Sequence, residues 1–125
     1  GENNMSNAFS NQFNMNSLPL IRDDRSILFE RVAALIDGVL IGEGDAYVQM
    51  IYILEYIEPF VTREGLLMKE MSQLRVFLSS WDAYKMVLQA INDFFRVPIL
   101  TAFEIDLNLT DGVLLEVESV FSLKE

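Results

Sequence analysis

The stretch Phe103-Glu104-Ile105-Asp106-Leu107-Asn108-Leu109-Thr110-Asp111-Gly112-Val113-Leu114-Leu115-Glu116-Val117-Glu118 carries the clearest periodicity in the chain. Phe103, Ile105, Leu107 and Leu109 alternate with polar residues, and after Asp111-Gly112 the alternation resumes with Val113, Leu115 and Val117. A period of two on both sides of Asp-Gly predicts an antiparallel hairpin. Its register follows from which faces meet. A two-residue turn sets Leu107 opposite Glu116 and puts a carboxylate on the apolar face. A three-residue loop, Thr110 to Gly112 with Gly112 left-handed, sets Leu109 opposite Val113, Leu107 opposite Leu115 and Ile105 opposite Val117.

That register pairs Asp106 with Glu116 and Glu104 with Glu118 on the outer face. Directly opposed like charges are unfavourable, although salt screening makes a merely solvated face the plainer reading. The functional reading is a docking surface for a basic protein. Trp81, at the start of a predicted helix, is the candidate apolar anchor beside it, with core packing or capping as the structural alternative.

Upstream, the spacing reads as helical. With Asp23 or Asp24 as cap, Leu28, Val32, Leu35, Ile36 and Val39 predict a first helix up to Gly42, weakened by Gly38. Asp45 caps a second helix over residues 46–58 that is apolar nearly all round and stopped by Pro59, with a strand over Tyr47 to Leu54 as the alternative. Thr62 opens a third, with Leu67, Met71, Leu74 and Leu78 on one side. Ser80 caps a fourth, Trp81 to Arg96. The expected fold is therefore α+β: a compact bundle of about four helices followed by a C-terminal antiparallel β-hairpin. Residues 1–19 read as a flexible Asn/Ser-rich arm, with 1–4 as a tag remnant ahead of Met5, and residues 20–125 as a single globular domain.

Composition mostly excludes. The 125 residues, 51% hydrophobic, suffice for one core. The chain has no histidine and no cysteine, so Ser-His-Asp, HExxH, thiolate-zinc and disulfide chemistry are gone. Gly42-Glu43-Gly44 lacks the spacing of a phosphate loop, and Glu116-Val117-Glu118 lacks the lysine two residues on that a magnesium nuclease would carry. No cofactor and no metal are expected. A net charge of −10 repels nucleic acid and anionic membranes. No apolar run reaches the roughly 20 residues of a membrane span, so a soluble cytoplasmic protein is expected.

The expected function is a non-catalytic acidic protein-interaction domain, an adaptor, chaperone or inhibitor of a basic protein surface, with the hairpin edge available for a homodimer. Two alternatives come from other classes. One is a small apolar-ligand-binding domain using Tyr47, Tyr52, Tyr56, Met50, Met68, Met71 and Met86. The other is a divalent-metal-dependent enzyme using Glu104, Asp106, Glu116 and Glu118.

Overall fold

The computed structural model describes residues 20–96, 99–107 and 111–123; the N-terminal arm expected over 1–19 and residues 108–110 of the expected hairpin lie outside them. Strands β1 (Leu20–Arg22), β2 (Ser26–Val32), β3 (Leu35–Ile36) and β4 (Val39–Leu40) come first, followed by helix α1 (Ala46–Arg63). Strand β5 (Met71–Leu78), helix α2 (Tyr84–Phe94), β6 (Leu100–Glu104) and β7 (Leu115–Ser122) complete the order. Five strands form one mixed sheet, β1-β2-β7-β5-β6, and β3 and β4 form a separate two-stranded ribbon. The bundle of four helices is thus overturned: among the described residues there are two α-helices on a sheet.

The first expected helix is strand because burial follows a period of two. Ile27 and Phe29 are buried while Leu28 between them is only half-buried. A bulge between Phe29 and Val32 then returns Val32 to the core side. The chain turns at Asp37-Gly38, where both residues have positive φ (50° and 79°) and Ile36 pairs with Val39. That is the geometry of a two-residue hairpin with a primed turn.

The third expected helix fails for the same reason. Along β5, Leu74, Val76 and Leu78 are buried and Gln73, Arg75 and Phe77 half-buried. Met71 and Leu74 happen to lie three apart only because a register shift sits between Met71 and Gln73.

The helix start at Asp45 is as expected: its side chain accepts from the Val48 N–H at 3.0 Å. Pro59 does not stop α1. It sits on the exposed side, while Phe60 and Val61 behind it are buried and carry the helix on to Arg63. Ser80 caps as expected, its Oγ accepting from the Asp82 N–H at 3.1 Å, and a short 3-10 turn over Trp81–Ala83 leads into α2.

The C-terminal hairpin is also overturned. β6 runs parallel to β5, with Phe77 beside Phe103 and Leu78 beside Glu104, and β7 runs antiparallel between β2 and β5. Val117 pairs with Val32 and Val76, not with Ile105. β5-α2-β6 is a strand–helix–strand unit, and such units join parallel strands. β7 takes the central place because Leu115, Val117 and Phe121 are fully buried on one side, whereas β6, with Thr101, Phe103 and Glu104 exposed, suits an edge.

Both helices cover one face. Met50, Ile53, Leu54 and Ile57 of α1 and Val87, Ala90 and Ile91 of α2 join Leu74, Val76, Leu115 and Val117 in one core. At roughly 1.5–3 kcal/mol for each fully buried large aliphatic side chain, this cluster dominates stability.

Candidate functional site

Among the described residues, an open sheet face and a groove at the helix starts are the candidate sites. The first is the sheet face that the helices leave open. Arg31, Glu116, Phe77 and Phe103 form a row across β2, β7, β5 and β6. Arg31 Nε donates to Glu116 at 2.6 Å, its guanidinium lies 4.0 Å from the centre of the Phe77 ring, and Phe77 stacks on Phe103 at 5.1 Å. Arg75 Nη1 donates to Glu118 at 3.2 Å and Nη2 to Gln73 at 3.0 Å in the neighbouring row. Two arginines on this face thus answer two carboxylates, within a chain of net charge −10.

The second region is a groove of about 340 Å³ where the starts of the two helices meet. Gly44 and Ala46 come from the entry to α1, and Ser79, Ser80, Asp82 and Ala83 from the β5–α2 connection. Met86 and Leu114 close it. Its Leu114 side is held by backbone and side-chain hydrogen bonds. The buried amide of Gln49 donates to the carbonyls of Gly42 and Gly112 and accepts from the Leu114 N–H, each at 3.0 Å. Ser79 donates its N–H to the Leu114 carbonyl at 3.0 Å. The approach is close enough that a Cβ on Gly112 would stand 2.8 Å from Leu40 Cδ2.

The carboxylates expected to share one face are dispersed. Glu116 is 7% exposed and held by Arg31, and Glu118 is held by Arg75. With β5 between β6 and β7, Glu104 points to the other side of the sheet, where it accepts from the Trp81 N–H at 3.0 Å. Asp106 follows β6 and is exposed. The structure therefore joins Glu104 with Trp81, and neither of them with Glu116 or Glu118. Trp81 is half-exposed and packs edge-on against Tyr84 at 5.6 Å. Among the described residues no group of three carboxylates is placed to hold a metal ion, and no helix is long and apolar enough to cross a membrane. Of the residues expected to line an apolar ligand pocket, Met50, Met68, Met71 and Tyr56 are packed in the core; Met86 is half-exposed and lines the groove.

The caps Asp45 and Ser80, beside the groove, are legible in the sequence, but their meeting in space is not. Leu114 and Gln49 carried no signal of their own. Gln49 looked like an ordinary polar residue on a helix.

No protein-family model matches this chain, and no curated protein is significantly similar to it. Solved structures are similar. TdcF of E. coli, with bound serine, superposes with a TM-score of 0.72 at 16% identity, over 84% of this chain and 86% of that one. The YjgF gene product of E. coli superposes with a TM-score of 0.72 at 17% identity, over 84% of this chain and 86% of the other. YyfA of Yersinia pestis, a protein of unknown function in the conserved Rid family, gives 0.69 at 16% identity over 83% and 85%. The fold is the YjgF/Rid fold. The expectation of an acidic adaptor on a helical bundle is overturned with it: this fold places a central strand where a free acidic hairpin was expected, and one of its members is seen with a small molecule bound.

Proposed function

We propose that this chain is a non-catalytic, cytoplasmic, small-molecule-binding protein that holds its ligand in the groove between the two helix starts. The groove itself carries the reading. Its volume of about 340 Å³ lies at the lower end of ligand sites, bonds from Gln49 and Ser79 hold its Leu114 side, and its lining mixes hydroxyls, one carboxylate and apolar side chains. The serine bound by TdcF supports a ligand of amino-acid size. Binding without turnover is supported by inventory: the chain has no histidine or cysteine. Asp82 is the one titratable residue among the lining residues, so no acid faces a base there.

The test is a metabolite library followed by amide NMR on the full chain, alongside a Met86→Trp variant that narrows the groove at an exposed position. Expected are ligands that shift the Gly44, Ser80 and Leu114 amides and lose affinity in the variant. Ligands that bind elsewhere, or none at all, overturn the groove. Conversion of a bound ligand to product overturns the non-catalytic part.

Self-association through the open sheet face belongs to the same reading and replaces the hairpin-edge dimer, since no such hairpin forms. Copies of net charge −10 repel one another, and this patch, where Arg31 and Arg75 offset Glu116 and Glu118 and where Ile21 and Phe103 are exposed, is where they meet at least cost. Light scattering should find an oligomer that Phe103→Glu weakens. A wild-type chain that stays monomeric at all concentrations overturns this part.

A further inference from the structure

We infer that the ligand class of the groove is a small amine without a carboxylate, an inference that rests on the groove being the binding site. The lining residues include one charged side chain, Asp82, and no lysine or arginine. Asp82 is exposed and makes no ion pair among the described residues; only its backbone N–H is engaged, with Ser80 Oγ. Its carboxylate therefore keeps its acceptor capacity for a ligand.

Two helix starts would ordinarily argue for an anion, since each carries about half a positive charge. Here both are already answered by full negative charges of the chain's own. Asp45 caps α1 beside Ala46, its carboxylate accepting from the Val48 N–H at 3.0 Å, and Asp82 stands in the first turn leading into α2. The local balance stays negative by about one charge on that count, and the whole-chain charge of −10 adds to it. A ligand carboxylate would meet the Asp82 carboxylate, with no lysine or arginine among the lining residues to receive it. An ammonium brings donors for Asp82 and for the Ser80 oxygen, while a short carbon stem lies on Met86, Leu114 and Ala83.

The experiment titrates the full chain with ethanolamine, glycolate and ethylene glycol, a cation, an anion and a neutral molecule of similar size, and reads the Gly44, Ser80 and Leu114 amides by NMR. Ethanolamine should shift these amides, glycolate and ethylene glycol should not, and Asp82→Asn should weaken ethanolamine about tenfold, the scale of one charge-assisted hydrogen bond near a surface. A response to glycolate or ethylene glycol equal to or stronger than that to ethanolamine overturns the amine class and leaves the groove as a small-molecule site. Undiminished ethanolamine affinity in Asp82→Asn overturns the role of Asp82 and the class with it. Silence towards all three overturns the amine class, and the groove reading then stands or falls on the metabolite library alone.

Discussion

The Gln49 side chain donates to the carbonyl oxygen of Gly112 at 3.0 Å, a bond between residues 63 apart in sequence. The same amide donates to Gly42 and accepts from Leu114, and Gln49 is fully buried. One side chain thus satisfies three backbone groups of two different loops, and a buried backbone group left without a partner costs about 1–3 kcal/mol. Replacing Gln49 by Leu keeps the volume and strands the Gly112 carbonyl and the Leu114 N–H, whereas the Gly42 carbonyl still accepts from the Asp45 N–H at 2.9 Å. We expect a loss of about 2 kcal/mol or more in urea unfolding, on the same per-group scale for two groups. Amide exchange should quicken at Leu114 first. A loss below about 1 kcal/mol would mean that water replaces the amide and that the loops are not fixed by it.

The row Arg31-Glu116-Phe77 makes a second prediction. Glu116 is nearly buried, and Arg31 is its ion-pair partner while also stacking on Phe77. Removing the arginine leaves a carboxylate with little access to water, whereas removing both charges does not. Arg31→Met alone is expected to cost about 1–3 kcal/mol, discounted from the fully buried case because Arg31 is partly exposed. Adding Glu116→Gln should restore part of it. A double-mutant cycle measures the coupling, and additive losses would show that the pair contributes no interaction of its own.

Legibility in the sequence divided along what each signal depends on. Asp45 and Ser80 were readable because a helix cap involves only residues two or three apart. Leu28, Val32, Leu35 and Ile36 misled because a strand with a bulge, a turn and a short ribbon reproduces three-to-four spacing by accident. The Asp-Gly hairpin rule was sound but applied at the wrong place: Asp37-Gly38 forms the two-residue turn, and Asp111-Gly112 does not join paired strands. Gly112 does adopt positive φ, at 91°, as the loop reading required. The alternation around Glu104 and Glu116 located β6 and β7 but not their neighbours, because pairing is decided by β5 slipping between them and strand partners are not a local property. The carboxylate face rested on that pairing and dissolved with it.

Ser119 provides a prediction of the opposite sign. It lies on the core side of β7, between Phe29 and Leu74, fully buried, and its hydroxyl has no hydrogen-bond partner. An unsatisfied buried hydroxyl costs about 1–3 kcal/mol, partly offset by the contacts its atom makes. Ser119→Ala is therefore expected to raise stability by about 1 kcal/mol, a few degrees in melting temperature for a domain of this size. A destabilised variant would show that the hydroxyl is satisfied by an ordered water.

Alkaline pH should destabilise the fold through Tyr56. Burial is the largest cause that pushes its phenol up from 10.0 to about 12, with smaller contributions from the nearby Tyr52 and Asp37. The folded state therefore holds a proton that the unfolded chain releases near its ordinary value. Between those two values the unfolded state binds fewer protons than the folded state, so stability is full below about pH 10 and falls as pH rises towards about 12. A shift of this size corresponds to about 2–3 kcal/mol. Tyr52 is raised by burial as well and adds in the same direction. Tyr56→Phe keeps the stacking with Tyr52 and the contact with Phe60 while removing the proton that titrates. Urea unfolding of wild type and variant at a series of pH values should show parallel curves up to about pH 10 and a shallower decline for the variant above it. Equal slopes in that range would place the alkaline loss elsewhere than at this side chain.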